Sequence, residues 1–588
     1  MRFDKAKIFD GKLLLGYVSK VTQNYVLLNT PNYYQLSHYH YNGEDYHGGL
    51  LYSYVFIEGD NYGFLGQISE IEFLEKERRE VTNESFDAEP YTYDSKKDLE
   101  LNPKVKVALL LAFDNITFKP KRISVHFPNV GARVFLASER YVGEFLKGLF
   151  QKESGSTGNN SKKYKIGHIL GKERTDIEIA LDKLFYRHCA IVGTTGSGKS
   201  WTAAKLIELL IMEGKKVIVL DPTGEYSKAF KDIQKNVQIL EIGKNAVIDY
   251  HNFTYEDLFF LAEPSQGIQV PILIDAVNDL KIVGYLKQNT ALKKDYEDFI
   301  SKDNLLVKQK KSKEKYFQLK EMYESYDSSD TLENVDITNL PKQIENECVI
   351  DRGDKFGDKD TKLLGYCLAM ILRLKSVVES SAFKTIFVSG KNQQRVGEDK
   401  QAENSDVLNT IQNFIQSDKP ENLIINLKSV VSEFQFKEIA VEVIGRKIFE
   451  IARNLLSDNK NGIYIFLDEA HNFLKRESEN ETRRYKYKAF ELIAKELRKK
   501  NVSLVIITQR PSDIPDGVLS QFGTFIIHNL TNPNDIEKIR NVVERSDMAL
   551  GLLPYLDVGE AVISSVNLPL VLPVKFYEPE CKPKIFEN

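Results

Sequence analysis

Cysteine is scarce in this chain, with four residues at 189, 348, 367 and 581 and no paired spacing among them. That argues against a zinc site and against a disulfide framework, and it leaves reduced thiols in a cytoplasmic protein as the expectation. Long apolar runs are missing too. None approaches the roughly 18–20 residues that cross a bilayer, so no membrane association is expected. The opening Met1-Arg-Phe-Asp-Lys5 places charges ahead of any apolar stretch, so no secretory signal is expected. Charge of one sign is also lacking. The 80 Lys and Arg and 84 Asp and Glu leave a net of −4, which speaks against a broad nucleic-acid-coating surface but permits a narrow basic channel. At 588 residues the chain is too long for one ordinary core, and two or more structural units are expected.

Against these absences stands Gly193-Thr194-Thr195-Gly196-Ser197-Gly198-Lys199-Ser200, which satisfies the phosphate-loop pattern G-x-x-x-x-G-K-[ST] at every required position. The apolar run Cys189–Val192 precedes it and a helical stretch from Trp201 to Met212 follows, giving the strand–loop–helix setting the motif needs. The glycines let the backbone bend so that several N–H groups point at phosphate oxygens, aided by the positive end of the helix. Lys199 is expected to reach the β- and γ-phosphates and Ser200 to hold Mg²⁺, making ATP and Mg²⁺ the expected cofactors.

From Ile166 onward apolar strands alternate with amphipathic helices. Lys216–Asp221 ends in a carboxylate followed by Pro222-Thr-Gly-Glu225-Tyr226. Asp221 and Glu225 at such a strand end are expected to face the nucleotide; the alternative is a turn capped by the aspartate. Ile463–Leu467 ends in Asp468-Glu469, where Asp468 suits the Mg²⁺ shell and Glu469 suits orienting or deprotonating an attacking water. Val502–Thr508 leads to Gln509, an amide able to contact both γ-phosphate and water, or else a satisfied loop residue. Glu496-Leu-Arg498-Lys499-Lys500 closes an amphipathic helix from about Ala489. Such an end is commonly a solvated face; in a ring it can offer Arg498 to a neighbour's site.

The first 160 residues read as a small β-barrel of short strands with Gly, Asn and Asp turns. His38, His40 and His47 carry no Cys or H-E-x-x-H partner and are read as ordinary histidines rather than metal ligands. Glu153–Lys162 reads as a flexible linker, with an ATPase core over 161–588. Between Glu225 and Asp468 the chain is too long for one crossover. Helical periodicity over Glu256–Leu261, Val270–Leu286, Leu292–Tyr323, Thr361–Leu374 and Phe436–Leu456 predicts a helical bundle inserted over about 250–455. The basic run Lys308–Lys315 is read as a solvated helix face, and Gly390–Asp406 as a polar surface loop. Arg483, Arg484, Lys486 and Lys488 interleave cations with tyrosines and are the leading DNA-contact candidates. Two final strands, Gly559–Ser564 and Val571–Phe576, end the core.

As a set these motifs resemble the HerA family, in the HerA–FtsK group of hexameric DNA-translocating ATPases. The matching residues are Arg187-His188, Gly193–Ser200, Asp221–Tyr226, Asp468-Glu-Ala-His-Asn472, Glu496-Leu-Arg498-Lys499, Thr508-Gln-Arg-Pro-Ser512 and Leu519-Ser-Gln521. Gly16–Val21 and the His47-Gly-Gly49 turn are similar to the family's HAS-barrel. The resemblance implies an α/β RecA-like core with an inserted helical bundle, plus that barrel. It further implies nucleotide contacts from Arg187, Gly193–Ser200 and Trp201, with Glu469 catalytic, Gln509 a γ-phosphate sensor and Arg498 a finger for the next subunit. Leu497, where the family has Gly, and Lys500-Asn501 depart from its pattern. Asp468-Glu-Ala-His471 also spells the box of another helicase superfamily, but no second motor domain accompanies it.

By the same resemblance the expected activity is an ATP-driven homohexamer moving double-stranded DNA together with a separate effector. That effector is a nuclease in archaeal end resection, or a nuclease or sirtuin-type NAD-hydrolysing protein in bacterial antiphage defence. The alternative is a hexameric ATP-dependent scaffold that regulates an effector without processive translocation, or a motor for a protein or single strand.

Overall fold

The computed structural model describes residues 8–23, 25–30, 36–74, 102–117, 119–121, 126–152, 162–170, 175–231, 236–326, 330–389, 405–417, 419, 421–455, 462–474, 488–543, 550–568 and 570–583. They fall into two compact units, one formed by 1–206 with 523–579 and the other by 207–522 with 580–588.

The first unit begins with an antiparallel barrel. Its strands are ordered Tyr25–Asn29, Leu14–Val21, Arg133–Leu136, Tyr54–Ile57, Tyr62–Leu74 and Asn102–Asp114, and pairing of Tyr25–Asn29 with Asn102–Asp114 closes it. Closure needs bent strands, and register breaks at Leu14/Gly16, Val18/Lys20, Leu65/Gly66 and Ile68/Glu70 supply the bends. Leu15, Val26, Leu28, Val55, Ile57 and Val107 fill the interior, each fully buried. Phe145 of helix Glu139–Lys152 packs edge-on against Phe56 and Phe113, covering one side of the barrel with aromatic surface. A hairpin, His38–Tyr41 with Glu44–His47, adds to the strands expected from the sequence. In it Asp45 lies 3.4 Å from His38 and 2.9 Å from His40, while His38 stacks on His47.

The same unit continues with six strands ordered Asp176–Ala180, Lys163–Ile169, Leu572–Phe576, Glu560–Ser565, Phe522–Ile527 and His188–Val192. His188–Val192 is buried at every position and delivers the chain into the phosphate loop.

The second unit carries an all-parallel sheet ordered Val502–Thr508, Ile463–Leu467, Lys216–Asp221, Asn422–Asn426 and Val237–Glu241. Parallel strands covered on both faces need continuous apolar sequence, and Ile463–Leu467 and Lys216–Asp221 are buried throughout. The expected insertion over about 250–455 is corrected here. Asn422–Asn426 lies inside that range yet pairs in parallel between two sheet strands, because Leu-Ile-Ile supplies the apolar run a central strand requires.

Helices at Tyr255–Ala262, Gln269–Gln288, Thr361–Glu379 and Phe436–Arg453 match the periodicity. The single helix expected over 292–323 is instead a short helix Thr290–Asp295, a turn, and helix Lys313–Tyr326. Asn304 and Lys310 adopt positive φ between them, and an Ile300–Leu306 bridge replaces helical hydrogen bonds. Lys308 is accordingly not on a solvated helix face. It is 6% exposed and ion-paired with Asp279 at 2.8 Å and with Glu347. The linker residues 153–161 and the loop residues 390–404 lie outside the described residues.

Candidate functional site

In the first unit the strand His188–Val192 hands the chain to Gly193 and helix Lys199–Met212 receives it. The loop between is held from behind by three residues no motif had marked. The Asn529 carbonyl accepts from Thr194 N at 2.8 Å, and the Gly559 N–H donates to the Ser197 carbonyl at 3.0 Å. Within the loop, Ser197 Oγ and Lys199 Nζ each donate to the Thr194 carbonyl at 2.7 Å. Gly198 has φ +106°, and a Cβ there would meet Gly559 N at 2.7 Å. A Cβ at Gly193 would meet His528 Cβ at 2.6 Å. Glycine at both positions is therefore a packing requirement of this loop as well as a condition for inward N–H groups.

His528 is the third supporting residue. Its ring is fully buried and its Nδ1 lies 2.8 Å from the Glu560 carbonyl. Burial, with the Lys199 cation nearby, pushes its pKa down to about 3, so it stays neutral behind the loop. Thr195 and Gly196 are exposed, whereas Lys199, Ser200 and Trp201 are half-buried at the helix start. Arg187 is half-buried, its stem packed over Gly523. The signal for His528 and Asn529 was present in the sequence, since the apolar run Phe522–Ile527 ends in a polar pair as the Asp468 and Gln509 strands do.

In the second unit the C-terminal ends of adjacent parallel strands gather the acids. Asp221 is fully buried. It accepts from Gly224 N, Ser227 N and Ser227 Oγ at 2.7–2.8 Å and from Thr223 Oγ1 at 3.3 Å. That is the geometry of the capping-aspartate alternative, in which Asp221 shapes the turn that carries Glu225. Asp468 is 5% exposed, and its pKa is raised well above the carboxylate range by burial and then by the charges of Glu469, Asp221 and Glu225. Glu469 sits at φ +48°, a costly conformation for glutamate. Its Oε2 is 3.3 Å from His471 Nδ1 and accepts from Gln509 Nε2 at 3.5 Å. Thr508 Oγ1 lies 3.2 Å from the same His471 nitrogen. Glu469, Gln509 and His471 thus form one polar group, with the buried Asp468 next in the chain.

Arg498 is exposed, in the 3-10 turn Leu497–Lys500 that closes helix Ala489–Glu496. Leu497, the departure from the family pattern, is buried, and Asn501 takes the left-handed conformation that ends the turn. Arg483, Arg484 and Lys486 lie outside the described residues. Lys488 is exposed 3.8 Å from Glu256, and its backbone N–H donates to Glu442 at 3.1 Å. Among the described residues no group of three or more His, Cys, Asp or Glu is arranged to hold a metal, and no helix is long and apolar enough to cross a membrane. A phosphate-bound Mg²⁺ needs fewer protein ligands, since phosphate oxygens and waters supply most of its shell. The crowded, buried carboxyl of Asp468 fits a site that a cation would stabilise.

Comparison with known proteins finds family models that together match more than half of the chain. The family model for the central domain of helicase HerA matches residues 164–374, and the HerA-like C-terminal model matches 446–568. The chain is 26% identical to the DNA double-strand break repair helicase HerA of Saccharolobus solfataricus, over 90% of this chain and 88% of that one. It is 24% identical to the probable DNA double-strand break repair helicase HerA of Methanocaldococcus jannaschii, over 70% and 76%. Among solved structures, VirB4 of Thermoanaerobacter pseudethanolicus aligns with a TM-score of 0.44 at 14% identity, covering 71% of this chain and 97% of that one. With both family models matched in order and the phosphate loop and acidic strand ends falling inside them, the chain belongs to the HerA family of DNA helicases and translocases.

Proposed function

We propose that this protein is a Mg²⁺-ATP-hydrolysing motor that assembles as a homohexameric ring and moves double-stranded DNA through its pore. The observation that carries the reading is the Glu469–Gln509 contact at 3.5 Å beside the buried Asp468. A carboxylate held by an amide at neighbouring strand ends is the arrangement that orients a water and reports the γ-phosphate. The relatives named as DNA double-strand break repair helicases support DNA as the substrate.

In this mechanism the backbone N–H groups of Gly193–Ser200 bind the phosphates, Lys199 leaves its internal acceptor for the β- and γ-oxygens, and Arg187 and Trp201 are assigned to nucleotide contacts by the family resemblance. Ser200 and Asp468 would hold Mg²⁺, which when bound neutralises phosphate charge. Glu469 takes the proton of the attacking water, Gln509 positions that water, and Asp221 keeps Glu225 in place by fixing its turn. Arg498 completes the site of the next subunit. Residues 1–160 form the barrel domain and 161–588 the motor, with helical insertions. Cutting or NAD-consuming chemistry belongs to a separate effector protein, in an antiphage or end-resection setting.

The test is ATP turnover with and without linear duplex DNA, for the native chain, Lys199→Ala and Glu469→Ala. Duplex stimulation of the native chain and loss of turnover in both variants are expected. Ring formation without any duplex stimulation overturns translocation and leaves a regulatory scaffold.

A further inference from the structure

Arg498 stands in the 3-10 turn Leu497–Lys500, at the end of the eight-residue helix Ala489–Glu496. So short a helix is marginal by itself in water, and outside contacts must set where it stands. Its N-cap, Lys488, makes no side-chain cap bond. The acceptor comes instead from another helix. Glu442 of Phe436–Arg453, 7% exposed, accepts from Lys488 N at 3.1 Å and from Ala489 N at 3.0 and 3.3 Å. Beside it a Cβ at Gly445 would meet Phe490 Cε2 at 2.6 Å, so only glycine lets the two helices approach this closely. At the far end Lys500 Nζ donates to the Leu455 carbonyl at 2.7 Å, just past the same supporting helix. Arg446 braces that support in turn, pairing with Asp257 at 2.6 Å and donating to the Asn252 carbonyl at 3.2 Å.

A buried carboxylate is a costly cap, where a local Ser, Thr or Asp at the helix start would serve with little desolvation. What the distant carboxylate adds is placement. It fixes the start of the helix against a second helix, and Lys500 fixes the end against the same one. We infer that Glu442 and Lys500 are positioning residues for Arg498, holding its turn where the guanidinium serves the neighbouring subunit's site. The inference rests on the ring reading above. A group aimed at a transferring phosphate loses much of its effect when displaced by about 1 Å, so the two ties bear on rate rather than on nucleotide binding.

The experiment is ATP turnover by full-length chains, alone and mixed after subunit exchange. Glu442→Ala alone should turn over about 10–100-fold more slowly than the native chain, with affinity for a fluorescent ATP analogue nearly unchanged. Glu442→Gln keeps an acceptor oxygen and should keep most of the rate, as should Glu450→Gln, which changes an exposed carboxylate on the same helix. Mixed with Lys199→Ala, Glu442→Ala should recover to roughly a quarter of native turnover, because some interfaces then pair an intact loop with a well-placed arginine. Mixed with Arg498→Ala it should not recover, since every arginine on offer is absent or misplaced; recovery there overturns the inference. A fault in the variant's own site would not be relieved by Lys199→Ala. No recovery with that chain, while Lys199→Ala and Arg498→Ala restore each other, therefore overturns the inference and leaves the ring reading standing. No recovery in that reference mixture removes the trans arginine from the ring reading and overturns the inference with it. Native turnover by Glu442→Ala, or lost nucleotide affinity at native kcat, overturns it as well. Lys500→Met carries the same comparison if Glu442→Ala does not melt cooperatively.

Discussion

Gln509 Nε2 donates to Glu469 Oε2 at 3.5 Å, joining the loops that follow two parallel strands. The strands pair in register from Ile463 opposite Val502 to Leu467 opposite Ile506, so both side chains emerge just beyond the same edge of the sheet. A group that only positions water should affect turnover without affecting binding. Gln509→Ala is expected to lower kcat by roughly 10–100-fold, and Glu469→Gln by at least about 10²-fold, with nucleotide affinity nearly unchanged in each. Phosphate release under steady state together with a fluorescent-nucleotide titration checks this. A variant that loses affinity and keeps kcat contradicts it.

His528 gives a pH signature. Its folded pKa, about 3, lies below the ordinary histidine value of 6.5, so the unfolded chain binds the extra proton first. Stability from this group is complete above about pH 6.5 and is lost as pH falls toward 3, with a limiting slope of about 1.4 kcal/mol per pH unit. Urea unfolding of the native chain and His528→Gln across pH 4–7 isolates this contribution. The native curve should fall more steeply on acidification, and parallel curves would show that His528 is not held neutral.

Lys308 is the centre of a buried polar group. It pairs with Asp279 and Glu347, while Tyr316 donates to Asp279 at 2.8 Å and Gln343 donates to Glu347 at 2.7 Å. Lys308→Met strands two carboxyls in an apolar cluster and should lower unfolding free energy by about 3–5 kcal/mol in urea titrations. Adding Asp279→Asn and Glu347→Gln should recover part of that loss. A harmless single variant would show that the lysine is not compensating buried charge.

Arg498 stands at an exposed helix end, where a residue serving its own subunit's site is not expected to sit. Lys199→Ala and Arg498→Ala chains should each be inactive alone, and mixing them after subunit exchange should restore turnover, because some interfaces then pair an intact loop with an intact arginine. No recovery on mixing would place Arg498 outside a neighbour's site.

Much of this was legible because local signals agreed with the tertiary outcome. Gly193–Ser200 lies between a buried strand and a helix, and Asp468 and Gln509 follow buried apolar runs. Each needs only near neighbours to be recognised. What escaped depended on distant parts of the chain. Asn422–Asn426 falls inside the helical segment expected from periodicity, because the three apolar residues Leu423-Ile-Ile425 identify a central strand only once Lys216–Asp221 and Val237–Glu241 flank it. Lys308 looks solvated in the sequence because its partners lie some thirty to forty positions away, at Asp279 and Glu347. His528, Asn529 and Gly559 act on the phosphate loop from more than three hundred residues downstream; the polar pair after Phe522–Ile527 marks a strand end in the sequence, but not the loop that it supports.

The return of the chain to the sheet at Asn422–Asn426 changes how this protein can be trimmed. What lies between Glu241 and Ile463 is two separate excursions, the longer one ending where that strand enters and the shorter one carrying helix Phe436–Arg453. Excising the whole block would remove a central plank of the sheet and leave Val237–Glu241 with no strand to pair with there. A minimal motor must instead keep residues 422–426 together with the buried crossover helix Phe436–Arg453 that returns the chain to the parallel sheet, so that only the longer excursion is open to trimming.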